Sequence, residues 1–317
     1  MVEILEVDNL KIYYFHRDSI VKAVDGVSFK IPDKSIVGIV GESGSGKSTL
    51  ASGIIRLVPP PGKIVSGKIY LDDIELTSLS EDEMREMRGK RISMVFQDPL
   101  ASLDPLMRVG DQIVEAILAH EDMSMDEAVD RANKLLNIVG IDEERYYSYP
   151  HQLSGGQRQR VMIAIAMALY PDLIIADEPT TALDVVVQSQ IMDLFDKLKR
   201  EFSTSIMLIS HDISLVLQWC DYVGVMYAGE LIEFATSRGI VEKPRHPYTQ
   251  ALLRAVPNIE EEIEKLYSIP GSPPDLADPP KGCRFHPRCP YVMDICRVES
   301  PETNLEGTHL VRCWLYE

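Results

Sequence analysis

A glycine-rich loop, residues 41–48, limits the fold of this chain more narrowly than any other segment. The loop reads GESGSGKS, which fits the pattern G-x-x-x-x-G-K-[ST]. It follows an apolar run, residues 36–40, and opens a helical pattern, residues 48–57. A loop of this kind between a strand and a helix is typical of sites that bind nucleotide phosphates. An ordinary turn rich in Gly and Ser is the alternative, and the flanking elements disfavour it.

The residue types in this loop each have a chemical role. The glycines let backbone N–H groups curl around the β-phosphate, and the N-terminus of the following helix favours an anion. We expect the Lys47 ammonium to reach the β- and γ-phosphate oxygens, and the Ser48 hydroxyl to bind Mg²⁺. The residues that we predict to contact the nucleotide here are Gly41, Ser43, Gly44, Ser45, Gly46, Lys47, Ser48 and Thr49.

The rest of the chain alternates between strand and helix patterns. Short apolar runs predict buried strands at residues 36–40, 92–96, 173–176 and 206–209. Helical patterns occupy residues 48–57, 111–120, 126–139, 156–170 and 184–202. This alternation is typical of an α/β fold whose sheet is largely parallel. Antiparallel pairing is predicted within residues 4–29, and again for residues 222–226 and 231–234, which turn at Gly229.

Length and composition indicate the number of domains and the kind of partner that the chain can bind. The 317 residues predict two domains, or one with an appendage, at about 150 residues per domain. Five prolines between residues 270 and 280 indicate a linker or wrapping loop, and we predict domains at residues 1–240 and 241–317. Acidic residues outnumber basic ones by 49 to 32, which gives a net charge of −17. This charge argues against binding to nucleic acid.

Two sequence features bear on where the protein works. No apolar run reaches the roughly 18 residues that a membrane span needs. The first residues, MVEILE, lack the basic start and apolar run of a signal peptide. We therefore expect a protein made and kept in the cytosol.

An apolar strand pattern at residues 173–176 ends in two acids, Asp177 and Glu178. In a phosphate-loop enzyme, a carboxylate at this strand end binds Mg²⁺ through water, and Asp177 has that position. Glu178 points to the other side of the strand, where it can orient and deprotonate an attacking water. A solvated acidic turn is the alternative, which the phosphate loop disfavours.

A second helix start has the composition of an anion site. Residues 153–157 read LSGGQ, so Ser154, Gly155, Gly156 and Gln157 open a helical pattern. Two phosphate-binding helix starts in one chain are unusual. The economical interpretation is that the second one serves a nucleotide on a partner.

These segments together resemble the ATP-binding cassette (ABC) family. Residues 41–48 resemble its Walker A motif, residues 173–178 its Walker B motif with the catalytic glutamate, and residues 153–157 match its signature. The resemblance covers about residues 5–235. It implies a RecA-like P-loop NTPase core with an antiparallel β-subdomain and a helical subdomain at about residues 98–170.

Shorter segments resemble further motifs of this family. Gln97, in the sequence FQDP, matches the Q-loop residue that binds Mg²⁺ and water. Asp184 ends the sequence TALD, which resembles the D-loop with Thr181 in place of the usual Ser. His211 follows a strand pattern and resembles the switch histidine that contacts the γ-phosphate.

The resemblance also implies an aromatic residue that stacks on adenine. Tyr14 is the predicted residue, and Tyr13, which alternates to the other face of the strand, is the competing choice. A tyrosine of the core or of the strand surface is the alternative for both.

In this family two cassettes pair head to tail, with ATP between the Walker A motif of one and the signature of the other. Charge neutralisation then comes from Lys47, Mg²⁺ and the signature helix, while Glu178 and His211 activate water. Residues 98–105, DPLASLDP, are rich in turn formers and suit a loop that docks on a membrane partner. An ordinary loop is the alternative.

Four of the five cysteines lie in the last 35 residues, at Cys283, Cys289, Cys296 and Cys313. Their spacing is not the paired C-x-x-C of common zinc sites, and a cytosolic chain disfavours disulfides. Four thiolates brought together would suit a [4Fe–4S] cluster or tetrahedral zinc. Unrelated buried thiols are the alternative.

The residues around the cysteines resemble the C-terminal extension of oligopeptide, dipeptide and nickel importer ATPases. The matching segments include HPYTQALL at residues 246–253 and GCRFHPRC at residues 282–289. The resemblance implies a [4Fe–4S] cluster, with zinc second. A structural role is preferred, because a cluster would cross-link a proline-rich segment that has little core of its own, and redox regulation is the alternative. His286 and His309 flank the cysteines as substitute ligands, although a structural role is preferred for both.

The full set of motifs predicts the ATP-hydrolysing subunit of an ABC importer for di- or oligopeptides or related solutes. The implied partners are a second ABC ATPase subunit, expected to be a different chain, two membrane permease subunits and an external solute-binding protein. The implied place is peripheral, at the cytoplasmic face of the membrane.

Two other functions compete with this prediction. A soluble ABC ATPase of DNA repair carries a long coiled coil between Walker A and signature, where this chain has only about 105 residues, and a translation factor carries two cassettes. An iron–sulfur sensor with a regulatory nucleotide site would not need the intact set of Lys47, Asp177, Glu178 and His211.

Overall fold

The computed structural model describes residues 2–256 and 269–317. The strands are β1 (Glu3–Phe15), β2 (Ile20–Pro32), β3 (Ile36–Val40), β4 (Gly62–Leu71), β5 (Ile74–Glu75), β6 (Ile92–Val95), β7 (Leu173–Asp177), β8 (Ser205–Ser210), β9 (Tyr222–Tyr227), β10 (Glu230–Thr236), β11 (Asn304–Glu306) and β12 (His309–Val311). The α-helices are α1 (Lys47–Ile54), α2 (Glu81–Met87), α3 (Pro99–Ser102), α4 (Val109–Leu118), α5 (Met125–Ile138), α6 (Gly155–Ala166), α7 (Val185–Phe202), α8 (Ile213–Trp219), α9 (Ser237–Glu242) and α10 (Pro247–Arg254). Among the helices of the described residues, none combines the length and the apolar character needed to cross a bilayer.

The chain divides into two compact units. The first contains Met1–Ile4, Pro32–Ser35 and Ser78–Leu208, and the second contains Leu5–Ile31, Ile36–Thr77 and Ile209–Glu317. The second unit thus holds the glycine-rich loop together with the residues beyond 240. The predicted domain boundary near residue 240 stays a prediction.

In the first unit, strands β6, β7 and β8 are neighbours in the sheet. Strands β6 and β7 pair in parallel, from Ile92 opposite Leu173 to Val95 opposite Ala176. All five residues of β7 are buried, because helices cover both faces of a parallel sheet of this kind. The buried strands predicted at residues 36–40, 173–176 and 206–209 are confirmed, whereas the one predicted at 92–96 ends at Val95, since Phe96 is 43% exposed. The carboxyl ends of β6 and β7 lie side by side.

Helices α3 to α6 fill the chain between β6 and β7, where the helical subdomain is predicted. Helix α5 shows why such a segment is helical. The Ser124 hydroxyl accepts the N–H of Glu127, and the Glu127 carboxylate accepts the N–H of Ser124, which caps the free donors of the first turn. Its buried residues recur at helical spacing and form one apolar face: Ala128, Ala132, Leu135 and Leu136.

The second unit contains an antiparallel sheet with strand order β2-β1-β4-β5. Strand β1 pairs with β4 from Leu5 opposite Leu71 to Tyr14 opposite Gly62. Successive side chains of a strand point to opposite faces, so Tyr13 and Tyr14 lie on different sides of this sheet.

The second unit also contains the neighbouring strands β11-β12-β10-β9-β3. Strands β3 and β9 are parallel, while β10 is antiparallel to both β9 and β12. The C-terminal extension therefore adds β12 and β11 to the edge of the sheet that carries β3. The sequence analysis did not predict these two strands, because strands of three residues are too short to show an alternating pattern.

An aromatic cluster fastens the extension to β9. The cluster consists of Tyr227 from β9, Tyr248 from α10, and Phe285, with ring centroids 4.7 to 5.4 Å apart. None of the three residues is more than 1% exposed. Contacts between aromatic rings contribute about 0.5–1.5 kcal/mol beyond the burial of area, so the cluster stabilises this attachment.

Candidate nucleotide site and cysteine pocket

The glycine-rich loop connects β3 to α1, and its backbone needs glycine at two positions, Gly41 and Gly46. Gly46 has a φ of +100°, in the left-handed region, and a Cβ there would collide with the carbonyl oxygen of Ala23. A Cβ at Gly41 would collide with the carbonyl oxygen of Met226. The loop backbone therefore packs directly against β2 and β9, which explains the glycine pattern found in the sequence.

The Lys47 side chain is buried inside this loop, with 5% of the residue exposed. Its ammonium donates to the carbonyl oxygens of Gly41 at 2.8 Å and Glu42 at 3.0 Å, and it lies 3.4 Å from the Ser45 hydroxyl. The loop thus curls around a positive charge. The exposed residues of the loop are Ser43, Gly44 and Ser48.

The two candidate adenine-stacking residues occupy different surroundings. The half-buried Tyr14 places its hydroxyl 3.5 Å from the Thr49 hydroxyl, on the first turn of α1. The Tyr13 hydroxyl instead donates to the Asp25 carboxylate at 2.6 Å, and burial, followed by this bond, raises the pKa of Tyr13. Tyr14 therefore faces the helix that follows the loop, whereas Tyr13 is engaged on the opposite face.

His211 lies in the second unit, exposed, directly after β8. The next residue, Asp212, caps α8 by accepting the N–H groups of Ser214 and Leu215. The capped helix thus fixes the backbone on the C-terminal side of His211.

The first unit brings together two residues that the sequence places 81 positions apart. The Gln97 amide, two residues beyond β6, donates to the Glu178 carboxylate at 3.0 Å, directly beyond β7. The Thr181 hydroxyl donates to the same carboxylate oxygen at 2.9 Å. The parallel pairing of β6 and β7 explains this contact, because their carboxyl ends meet at one edge of the sheet.

The backbone at this strand end is unusual. Asp177 is the last residue of β7 and is only 6% exposed. Glu178 follows with a φ of +46°, which is uncommon outside glycine and concentrates at functional sites. The regular strand conformation therefore ends at Asp177.

The predicted signature residues open α6 as expected. Ser154 is the cap of the helix, where its hydroxyl accepts the N–H of Gln157 at 3.3 Å and its own N–H donates to the Gln157 side chain at 3.0 Å. Gly155 and Gly156 form the first turn. Asp184 caps α7 in the same way, by accepting the N–H of Val187 at 2.9 Å.

The four C-terminal cysteines line one pocket in the second unit. Its other lining residues include His246, Phe285, His286 and Trp314. The N–H of Cys283 donates to the carbonyl oxygen of Cys296 at 2.9 Å, which ties two of the cysteine segments together. The structure thus brings all four predicted ligands to one place.

The thiols of this pocket are poorly suited to carry charge by themselves. Burial raises the pKa of the Cys283 thiol to about 12 and that of Cys313 to about 11, and it also raises the pKa of Cys289. His286 lines the pocket, whereas the His309 ring is engaged with Glu233 at 2.7 Å. Within residues 2–256 and 269–317, no group of three or more His, Cys, Asp or Glu residues is arranged to hold a metal ion, so the predicted metal centre is not confirmed.

Sequence reasoning missed contacts of the candidate site residues in both units. Arg288 and Tyr248, both beyond residue 240, contact Glu42 in the loop, and Thr181 supports Glu178. The signal for Thr181 was its place in the D-loop-like segment. Arg288 stands next to Cys289 in the sequence, but nothing near it indicates a contact 246 positions away.

Comparison with known proteins decides the family. The ABC transporter family matches residues 24–181, and the C-terminal region of oligopeptide/dipeptide transporters matches residues 232–296. The chain is 48% identical to the oligopeptide transport ATP-binding protein AppD of Bacillus subtilis, over 100% of this chain and 98% of the relative. It is 45% identical to the dipeptide transport ATP-binding protein DppD of the same organism, over 100% of this chain and 96% of the relative. The chain belongs to the ABC ATPases of the oligopeptide/dipeptide transporter family.

Solved structures agree with this family. The ABC cassette MJ0796, in a dimeric post-hydrolysis state bound to ADP and phosphate, superimposes with a TM-score of 0.67 at 33% identity. It covers 74% of this chain, and 99% of MJ0796 is matched. The protein CbiO1 from Clostridium perfringens, part of an ABC transporter complex, superimposes with a TM-score of 0.66 at 30% identity. The cassette fold of this ABC ATPase is therefore confirmed.

The adenine position is tested by comparing the two tyrosines. Tyr14→Ala should weaken ATP binding to the purified chain by about 5- to 100-fold, because stacking of an aromatic ring on a base contributes about 1–3 kcal/mol. Tyr13→Ala is the matched control on the other face and should leave the ATP dissociation constant within about twofold. Weaker binding in the Tyr13 variant alone would show that the competing tyrosine carries the base.

Proposed function

We propose that this chain hydrolyses ATP to energise the uptake of di- or oligopeptides through membrane permeases. The observation that carries the proposal is the Glu178 carboxylate, held by Gln97 and Thr181 at the carboxyl end of β7, in a chain that is 45–48% identical to peptide transport ATP-binding proteins. Such a carboxylate is suited to orient and deprotonate the water that attacks the γ-phosphate.

The phosphates of ATP bind to the loop at residues 41–48 and to the N-terminus of α1. Lys47 donates to the β- and γ-phosphate oxygens from within the loop, and Tyr14 stacks on adenine. The burial of Lys47 supports this role, since a charge with restricted access to water attracts phosphate more strongly. His211 contacts the γ-phosphate and supports Glu178.

Ser48, Gln97 and Asp177 are the proposed ligands of magnesium. Their hydroxyl, amide and carboxylate oxygens are the donors that Mg²⁺ prefers. Magnesium supplies charge neutralisation on the phosphates when it is bound. Asp177 is buried at a strand end, where a carboxylate gains from a nearby cation.

A second ABC ATPase subunit, expected to be a different chain, completes the site. Ser154 to Gln157 and Asp184 of each subunit serve the nucleotide of the other. The helix start at Ser154 suits a phosphate, because the first N–H groups of a helix point toward an anion. The dimeric state of the similar cassette MJ0796 supports this arrangement.

The segment after Gln97 is the proposed contact with the permeases. Leu100 and Leu106 are 61% and 86% exposed, in a short stretch that also includes two prolines. Exposed apolar side chains of this kind mark contact surfaces for other proteins. Two permeases and an external solute-binding protein are the other partners, and the chain lies at the cytoplasmic face of the membrane.

The four cysteines are proposed to hold a [4Fe–4S] cluster in the extension at residues 241–317, beyond a cassette at residues 1–240. The proposal is supported by the four thiols that line one pocket, where burial opposes their ionisation unless a cation compensates the charge. A cluster would cross-link Cys283, Cys289, Cys296 and Cys313. Its role is structural in this proposal, since the extension has few long elements of its own.

The cluster proposal predicts the iron and sulfide content of anaerobically purified protein. We expect about four iron and four acid-labile sulfide per chain, as in a [4Fe–4S] centre. Cys313→Ser should lower both, whereas Cys220→Ser, at a buried cysteine outside the pocket, should change neither. One zinc and no sulfide per chain would refute the cluster.

The role of Glu178 predicts the behaviour of Glu178→Gln in the assembled transporter. Phosphate release should fall by roughly 10²- to 10⁴-fold, because the variant loses the base that activates water. ATP should still bind, so an ATP-bound ATPase dimer should accumulate in size-exclusion chromatography. Glu201→Gln, at an exposed position of α7, is the control and should leave hydrolysis unchanged. Undiminished hydrolysis in the Glu178 variant would remove Glu178 from the mechanism.

A further inference from the structure

The glycine-rich loop carries an acid that is bound by an arginine of the C-terminal extension. One guanidinium nitrogen of Arg288 lies 2.8 Å from one carboxylate oxygen of Glu42, and the other lies 3.0 Å from the second oxygen. This is the two-point geometry of a strong arginine–carboxylate pair. The Arg288 side chain is 5% exposed and that of Glu42 is 25% exposed, so water screens the pair only in part.

Arg288 is held in place by further contacts. Its Nε donates to the carbonyl oxygen of Pro270 at 2.8 Å, and one guanidinium nitrogen donates to the Tyr227 hydroxyl at 3.3 Å. The guanidinium also lies over the Tyr227 ring, 5.7 Å from its centroid. The arginine is therefore pre-organised, and little side-chain entropy is lost when it pairs with Glu42.

A second residue of the extension holds the backbone at the same point. The N–H of Glu42 donates to the Tyr248 hydroxyl at 3.0 Å. Tyr248 is fully buried in the aromatic cluster with Tyr227 and Phe285. Both the side chain and the backbone of Glu42 are thus bound by residues from α10 and beyond.

Glu42 in turn contacts the residue that is proposed to bind phosphate. Its carbonyl oxygen accepts from the Lys47 ammonium at 3.0 Å. A continuous set of contacts therefore connects Arg288 to Glu42, and Glu42 to Lys47. A shift of Glu42 would alter the position of the Lys47 charge.

The negative charge of Glu42 gives the Arg288–Glu42 pair an effect on ATP binding. A carboxylate in a loop that binds phosphates repels the incoming anion, and the repulsion is large where water is partly excluded. Arg288 compensates the carboxylate with a positive charge from outside the loop. An acidic loop residue is therefore compatible with phosphate binding as long as the extension presents the arginine.

We propose that Arg288 is a positioning residue for ATP binding, which neutralises Glu42 and, together with Tyr248, holds the loop in its phosphate-binding shape. The C-terminal extension then contributes to the affinity of the nucleotide site for ATP. This inference rests on the proposed role of residues 41–48, and it goes beyond that role by assigning part of ATP affinity to residues outside the cassette.

The test measures the dissociation constant of ATP for the purified full-length chain. Arg288→Ala should raise it by about tenfold or more, because the loss of one partner leaves the other charge uncompensated. The double variant Arg288→Ala with Glu42→Gln should recover to within about threefold of the unchanged chain, since the repelling charge is then gone. A purely structural role of Arg288 would give no such recovery.

Arg245 provides a matched control within the same extension. Its guanidinium pairs with Glu306 and lies over the Tyr316 ring, 5.6 Å from the centroid, so it is an arginine of the extension that pairs with an acid and an aromatic ring. Arg245→Ala should leave the ATP dissociation constant within about twofold.

Two outcomes would overturn the inference: an Arg288→Ala variant that binds ATP as tightly as the unchanged chain, or a double variant that stays as weak as the single one. If Arg288→Ala does not fold, Arg288→Gln takes its place, because glutamine keeps a polar side chain and removes the positive charge. Glutamine should weaken ATP binding by at least about threefold, and Glu42→Gln in the same chain should restore it. Unweakened binding in the Arg288→Gln variant would equally contradict the inference. Failure of the unchanged chain to bind ATP would instead refute the proposed function.

Discussion

The close approach of the glycine-rich loop to its neighbours is the constraint on which the rest of the site depends. Gly41 and Gly46 bring the loop backbone against the carbonyl oxygens of Met226 and Ala23. The shape of the loop therefore depends on the positions of strands β2 and β9. This packing turns the loop around the Lys47 ammonium. Helix α1 begins at the end of the loop, and the N-terminus of a helix favours an anion. The nucleotide site is in this sense a consequence of how strands pack.

The extension and the loop belong to the same compact unit, and three kinds of contact join them. Strand β12 lengthens the sheet at β10, the aromatic cluster buries Tyr248 and Phe285 against β9, and Arg288 pairs with Glu42. A chain with a net charge of −17 binds a polyanion only if positive charge is concentrated at the site. Lys47 supplies it from inside the loop, while Arg288 cancels the acid that the loop itself carries.

Local patterns predicted the features that depend on neighbouring residues. The strands at residues 36–40 and 173–176 were evident as apolar runs, and the helix at residues 126–139 was evident from its helical pattern. Alternation placed Tyr13 and Tyr14 on opposite faces. Features that join distant segments left no local signal. The Arg288–Glu42 pair spans 246 positions, and β12 has only three residues. The positive φ of Glu178 gives no signal in the sequence, because glutamate is not a residue type that favours this conformation. Such features depend on how distant segments pack together, and a single sequence does not show which distant segments are in contact.

The central claim is that the loop at residues 41–48 binds the phosphates of ATP through Lys47. Equilibrium binding of ATP to the full-length chain tests it most directly, with Lys47→Ala compared with Lys134→Ala, an exposed lysine of α5. The account predicts that the Lys47 variant binds ATP about 10- to 100-fold more weakly, since charge-assisted hydrogen bonds contribute about 1.5–3 kcal/mol. The Lys134 variant should bind as the unchanged chain does. Equal affinity of the Lys47 variant and the unchanged chain would contradict the account.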